Sequence, residues 1–115
     1  MKSMTMGRVI AAPVLLAMAL IAHPAASQQG ASLRISVKNH RFQPATLQAP
    51  ANVPITLRVK NLDSTPMEFE SVSLRVEKVV TGGGEGIIRL RPLSPGRYSF
   101  FDDFHQQTNG TLVVR

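Results

Sequence analysis

The acidic residues of this 115-residue chain are few, and five of the seven lie in two short segments. The first segment carries Asp63, Glu68 and Glu70, and the second carries two adjacent aspartates beside His105. Carboxylates that lie close together repel one another, and a bound cation relieves that repulsion. Carboxylate and imidazole ligands, with a possible thioether, suit iron, copper(II), zinc or manganese. The residues therefore predict a metal site, provided that the fold brings the two segments together.

A competing interpretation is that these acids form turns and neutralise basic neighbours. It fits Asp63 best, because NLDS is a turn sequence. It is weaker for Asp102, Asp103 and His105, since flanking phenylalanines would desolvate these groups unless they were paired. The isolated His40 is interpreted as an ordinary loop residue.

Strand periodicity divides the candidate ligands into two sets. Successive side chains of a strand point to opposite faces, so Met67 points inward whereas Glu68 and Glu70 point outward. The same alternation places Asp102 inward and Asp103 outward. The inner set is Met67, Asp102 and His105, and the outer set is Glu68, Glu70 and Asp103. The two sets can converge only if the strand ends twist or bulge.

Short alternating segments separated by turn signals make up the chain after residue 28. Leu33, Ile35 and Val37 alternate with polar residues, and segments 55–60 and 111–114 show related patterns. Such alternation indicates half-buried strands, and the recurring prolines oppose helices. The pattern predicts a small antiparallel β-sandwich of about seven strands. We expect strands near 31–38, 45–49, 54–61, 66–71, 73–80, 86–91, 97–102 and 110–115.

Residues 1–27 predict a secretory signal peptide. Lys2 and Arg8 precede the apolar run 9–22, and small residues at 25–27 form a cleavage site. The run is shorter than the roughly 20 residues that span a bilayer, and Pro13 interrupts it, so cleavage is favoured over a membrane anchor. The expected periplasmic domain, residues 28–115, has 11 basic and 7 acidic residues, so its net charge is +4 instead of +6. No stable membrane insertion is expected after cleavage.

The basic residues and the glycine-rich run are interpreted as structural features, not as binding sites for nucleic acid or phosphate. Basic residues on the strands form a solvated face that protects sheet edges. Nucleic-acid binding is not expected, because no aromatic platform lies between the basic residues. The glycine-rich run 82–86 lacks the Lys-Ser/Thr of a phosphate loop and precedes no helix, so it predicts a flexible hairpin loop.

The chain contains no Cys. Disulfides, thiolate nucleophiles and zinc fingers are therefore excluded. A blue-copper site is excluded as well, because that site requires a Cys sulfur.

The carboxyl-terminal run 96–114, GRYSFFDDFHQQTNGTLVV, resembles the cupredoxin pattern of Gly, Tyr, alternating aromatics, Cys, His and a closing strand. The run 61–70, NLDSTPMEFE, is similar to the loop that supplies the upstream His of this family just after a Pro. The resemblance covers residues 31–115. It implies an all-β fold, a cupredoxin-like Greek-key β-sandwich of about seven to eight strands.

The departures from the cupredoxin pattern concern the metal ligands. Met67 stands at the position of the upstream His, Asp102 at that of the Cys, and His105 at that of the second His. The chain looks most like the EfeO-type and stand-alone periplasmic cupredoxins of bacterial ferrous-iron uptake. That likeness implies copper or iron binding and an accessory role in ferrous-iron oxidation or uptake. Its implied partners are a periplasmic iron-binding protein and an inner-membrane iron permease. The implied metal region comprises Met67, Glu68, Glu70, Asp102, Asp103 and His105.

Two other functions stay open. The first is an autonomous ferroxidase, although one small domain with one or two exposed metals is poorly equipped for multi-electron oxygen chemistry. The second is a metal-free β-sandwich interaction module of the cell envelope, because a fold can persist without its site.

Overall fold

The computed structural model describes residues 29–115 and the isolated positions 3, 7 and 13. Apart from those three positions, the predicted signal peptide lies outside the described residues. Within the described part of the chain, no helix has the length and apolar character needed to cross a membrane.

The described residues form nine strands in two sheets, which confirms the predicted all-β sandwich. The strands are β1 (Ala31–Lys38), β2 (Arg41–Gln43), β3 (Thr46–Ala49), β4 (Ile55–Asn61), β5 (Met67–Ser71), β6 (Val76–Val80), β7 (Glu85–Leu90), β8 (Gly96–Asp102) and β9 (His105–Val114). The four-stranded sheet has the order β2-β1-β4-β7, and the five-stranded sheet has the order β3-β9-β8-β5-β6. Strand β2 was not predicted, because three residues are too few to show an alternating pattern.

The strand pairing is mixed, so the expectation of an antiparallel sandwich holds for five of the seven strand pairs among the described residues and is wrong for two. β1 runs parallel to β4, with Ala31 opposite Ile55 and Val37 opposite Asn61. β3 runs parallel to β9. These parallel pairs arise because the chain crosses between the sheets after β2, β3, β4, β6 and β7. Turn residues show where a strand ends, but not which sheet the next strand joins.

Inward-facing side chains of both sheets form one hydrophobic core. Three buried phenylalanines lie at its centre, with Phe100 stacked on Phe69 at 4.8 Å between ring centroids and edge-on to Phe42 at 4.9 Å. Such aromatic pairs contribute about 0.5–1.5 kcal/mol beyond the area that they bury. Phe69 and Phe100 anchor β5 and β8, which are the strands that carry the acidic segments.

The predicted flexible hairpin at the glycine run is wrong. β6 and β7 belong to different sheets, so the connection between them crosses the sandwich. The connection is also held in place, because Gly83 N donates to Asp63 O and Asn61 N donates to Gly84 O, both at 2.9 Å. A Cβ added to Gly82 would overlap the carbonyl of Ser64. The small residues therefore permit close packing against the loop after β4.

Candidate metal centre

The two acidic segments lie side by side in the five-stranded sheet. β5 pairs with β8 and places Phe69 opposite Asp102. Just beyond β8, Asp103 N donates a hydrogen bond of 2.9 Å to Glu68 O. A register shift between Phe101 and Asp102 marks an irregularity of the β8–β9 ladder at this point. The fold thus joins segments that are distant in sequence, as the metal-site hypothesis requires.

The outer set forms a cluster of three carboxylates in the described chain. Glu68, Glu70 and Asp103 are half-buried, and each offers an oxygen within 4.8 Å of the other two. Desolvation, followed by the negative charges of Asp103, Glu77 and Glu68, raises the pKa of Glu70 above its usual value. This mutual repulsion is the condition that a bound cation relieves.

Asp102 is fully buried and accepts hydrogen bonds from three groups. Its Oδ1 accepts the backbone N–H groups of Glu68 and Phe104, both at 3.0 Å. Its Oδ2 lies 2.9 Å from Nδ1 of His105. A buried carboxylate is costly unless it is hydrogen-bonded in this way. Asp102 therefore fastens β5 to the turn between β8 and β9, and its role as a direct ligand stays a prediction.

His105 is half-buried, with Nδ1 directed at Asp102. An ionised carboxylate only accepts hydrogen bonds, so a hydrogen bond to it requires a proton on Nδ1, and in the neutral imidazole this tautomer has its lone pair on Nε2. A carboxylate that orients an imidazole through Nδ1 is the usual support of a metal-binding histidine.

Met67 occupies a different environment from the acidic cluster. It is 1 % exposed and lies opposite Val80, within the hydrophobic core. The inward direction predicted from strand alternation is confirmed. Its role as a thioether ligand stays a prediction.

His40, which the sequence patterns did not single out, lies against His105. The two ring centroids are 4.0 Å apart and the ring planes differ by 30°. At this separation the two rings are in contact, so His40 packs against the His105 ring. Both rings line an open surface depression. The undetected strand β2 explains the omission, because its pairing with β1 is what folds His40 back toward this end of the sandwich.

Asp63 stabilises a second turn in addition to the one in which it lies. Its carboxylate accepts the backbone N–H groups of Asn39 at 2.7 Å and His40 at 2.9 Å, and it lies 3.6 Å from Nδ1 of His40. Asn39 and His40 both have positive φ, 52° and 55°. The His40 N–H is the largest factor that lowers the pKa of Asp63, and the Asn39 N–H and the two imidazoles add to it, while burial opposes it. Asp63 thus holds the strained turn that carries His40.

Asp63→Asn is expected to lower the free energy of unfolding by about 1 kcal/mol near neutral pH, because the left-handed turn loses a charged acceptor. Since folding lowers the Asp63 pKa, its contribution is fully present above the ordinary value of 3.8 and shrinks as the pH falls from that value through the lowered pKa. Urea unfolding near neutral pH and at about pH 3 measures this difference. Ser64→Ala is the matched control in the same loop. A difference between wild type and Asp63→Asn that does not shrink in acid contradicts the prediction.

A family model described as a cupredoxin-like domain matches residues 10–114. An uncharacterised protein of Rickettsia prowazekii is 41% identical over 83 residues, which cover 71% of this chain and 66% of that protein. The chain therefore spans just under two thirds of the length of this relative.

Solved structures with the same fold include several copper proteins. The metal binding domain of a Cu(I)-exporting P-type ATPase from Streptococcus pneumoniae has a TM-score of 0.62 at 16% identity, covering 76% of this chain and 97% of that one. A purple cupredoxin from Nitrosopumilus maritimus has a TM-score of 0.55 at 20% identity, with coverages of 74% and 99%. The blue copper protein auracyanin A from Chloroflexus aurantiacus has a TM-score of 0.63 at 12% identity, with coverages of 75% and 99%. These likenesses concern the fold, and the family match over most of the sequence shows that the chain belongs to the cupredoxin-like domain family.

Proposed function

We propose that this protein is a periplasmic metal-binding cupredoxin that holds copper or iron and assists ferrous-iron oxidation or uptake. The observation that carries the proposal is the convergence of Glu68, Glu70 and Asp103 within 4.8 Å, although the two segments are far apart in sequence. The copper found in structural relatives, such as the Cu(I)-bound domain of the Streptococcus pneumoniae ATPase, supports metal binding by this fold.

The donor set fits a cation that prefers oxygen and nitrogen ligands. The outer carboxylates would hold the ion, and His105, which is oriented by Asp102 and lies outside that group of three, would be a separate nitrogen donor. With no Cys in the sequence, the ligands of a type 1 copper site are incomplete. Bound copper(II) would supply an electron acceptor for ferrous iron. Carboxylates are hard donors that favour iron(III) over iron(II), and this preference assists oxidation of an iron substrate.

The finer assignment is part of the same proposal. The segments MEFE and FFDDFH support an EfeO-type or stand-alone cupredoxin of ferrous-iron uptake. Such a protein would be exported by the signal peptide at residues 1–27. It would act beside a periplasmic iron-binding protein and an inner-membrane iron permease.

Calorimetric titration of the 28–115 chain with copper(II) and with iron tests the proposed site. Both sheets are complete within residues 31–114, so this chain contains the whole described domain. We expect Glu68→Gln, Glu70→Gln and Asp103→Asn each to weaken metal binding by at least about tenfold, because each removes a charged oxygen donor. The matched control is Glu85→Gln, whose carboxylate lies on the other sheet, 3.0 Å from Arg58. Unchanged affinity in all three cluster variants would overturn the site.

Thermal unfolding supplies a second measurement on the same variants. Metal that binds only the folded state raises Tm relative to protein treated with EDTA. Without metal, Glu70→Gln should be slightly more stable than wild type at neutral pH, because folding raises the Glu70 pKa and so disfavours its ionised form. No shift of Tm with copper, iron, zinc or manganese would favour a metal-free interaction module.

Ferrous-iron loss measured with and without copper and partner proteins separates an accessory role from an autonomous ferroxidase.

A further inference from the structure

The outer face of the four-stranded sheet is strongly basic in the described chain. We call it the basic face. All of its cations are exposed, and a single carboxylate, Glu85, accompanies them. The cations are Arg34, Lys38, Arg41, Arg58, Lys60 and Arg89.

Protection of sheet edges, which the sequence suggested, does not account for the basic face. The strand order β2-β1-β4-β7 places β1 and β4 at the centre of the sheet. These two strands carry four of the six cations, whereas the edge strands carry only Arg41 and Arg89. An edge needs its charges on the outermost strands. The central position of most cations therefore calls for another explanation.

The register places like charges directly opposite one another. Arg34 lies opposite Arg58 in the β1–β4 ladder, and Lys38 lies opposite Arg41 in the β1–β2 ladder. Opposed like charges destabilise a sheet. Among the described residues, Arg58 is the one member of the face that forms an ion pair, with Glu85 at 3.0 Å. Glu85 also lies opposite Lys60 in the β4–β7 ladder, but this one carboxylate leaves the face with a large excess of positive charge that an external anion can neutralise.

The other side chains of the basic face indicate what kind of anion fits. Most are small or polar, namely Ser32, Ser36, Gln43 and Thr56, and one is the half-buried Ile87. Three of the exposed large apolar residues, Val72, Val79 and Phe104, lie outside this sheet. The fourth, Leu62, follows β4 and is a single exposed apolar side chain in a surface depression that is lined mainly by cations and polar residues of the basic face. Protein interfaces usually depend on buried aromatic or apolar anchors. An anionic lipid surface attracts clustered Lys and Arg without such anchors.

We propose that the basic face docks this protein on anionic phospholipid headgroups. Because Glu68 and Glu70 point outward from the opposite sheet, docking by the basic face turns the acidic cluster away from the like-charged headgroups. The candidate metal centre then faces the aqueous side. The inference concerns a separate surface and holds whether or not the acidic cluster binds a metal.

Sedimentation of the metal-free 28–115 chain with lipid vesicles tests this proposal. One vesicle preparation contains phosphatidylglycerol mixed with phosphatidylcholine, and the other contains phosphatidylcholine alone. We expect binding only to the first, and we expect salt of about 0.5 M to abolish it by screening. Absence of binding to phosphatidylglycerol at low salt overturns the proposal and favours an acidic protein as the occupant of the face.

Two triple variants separate docking by this face from an effect of net charge. Arg34→Gln/Lys60→Gln/Arg89→Gln removes three cations and keeps the Arg58–Glu85 pair, and we expect the vesicle partition coefficient to fall at least about tenfold. The control changes the same number of exposed cations outside the four-stranded sheet. It is Lys78→Gln/Arg97→Gln/Arg115→Gln, for which we expect a loss of no more than about threefold. Equal losses in both variants, each shown to be folded by its thermal transition, overturn the proposal.

Discussion

Asp102→Ala is expected to lower the free energy of unfolding by about 3–4 kcal/mol. The substitution leaves the N–H groups of Glu68 and Phe104 and Nδ1 of His105 without their shared acceptor at a fully buried position. Water cannot replace the carboxylate freely there, so each donor bears a desolvation cost. Urea unfolding of the metal-free protein measures the loss.

The control for this prediction is the neighbouring aspartate. Asp103→Ala removes the same group from a half-buried position, and we expect a change of less than about 1 kcal/mol. Similar losses of stability in the two variants would show that Asp102 does not hold β5 to the turn between β8 and β9.

Asp102→Asn separates the structural role of this side chain from its effect on His105. The amide oxygen can still accept the two backbone N–H groups, but its NH₂ group would face Nδ1 of His105. The imidazole then favours the tautomer with its proton on Nε2, so Nε2 has no lone pair for a metal, and the lone pair on Nδ1 is occupied by the amide donor. We therefore expect Asp102→Asn to weaken metal binding more than its modest loss of stability explains. Nitrogen-15 NMR of the imidazole reports the tautomer directly, and an unchanged tautomer with wild-type affinity contradicts the argument.

Gly82→Ala is expected to lower the free energy of unfolding by about 3 kcal/mol, the upper end of the usual cost of overpacking. The added methyl group would overlap the Ser64 carbonyl, and backbone atoms cannot turn aside as a flexible side chain can. Displacing the segment would also strain the hydrogen bonds that join Gly83 to Asp63 and Gly84 to Asn61. Urea unfolding of the metal-free protein measures this change in the free energy of unfolding.

Gly96→Ala is the control for the effect of adding a methyl group to a glycine. The nearest atom to its added Cβ belongs to Tyr98 at 3.7 Å, which is an ordinary contact. We expect it to change stability by less than about 1 kcal/mol. If Gly82→Ala is as stable as Gly96→Ala, the glycine run is not packed tightly against Ser64, and the flexibility predicted from sequence is the better description of this connection.

Several parts of the fold and of the candidate site could be predicted because they depend on neighbours along the chain. Alternation in segment 31–38 defines β1 with the same limits that the structure shows. The same alternation assigns Met67 to the core and Glu68 and Glu70 to the outer face, as their burial confirms. Three of the six candidate ligands, the outer set, form the carboxylate cluster. Side-chain direction in a strand has a period of two, so it can be read locally.

His40 and Asp63 could not be recognised in this way. His40 follows one strand and Asp63 another, and neither position has a local pattern that distinguishes it from an ordinary turn. Their importance arises from contacts between loops, in which Asp63 holds the turn at Asn39 and His40, and His40 packs against His105. The basic face is a similar case, because strand order decides whether a charged strand is central or at an edge.

The amino-acid sequence by itself determined the all-β class, the absence of a thiolate, the opposite directions of Met67 and Glu68, and the resemblance to cupredoxins. Each of these follows from composition, from a period of two, or from a short motif. Only the tertiary structure decided that β1 and β4 are parallel, that the glycine run packs against the loop after β4, and that Asp102 joins β5 to His105. These features depend on which sheet each strand enters, and that choice is made by packing among distant residues, which no local window of sequence contains.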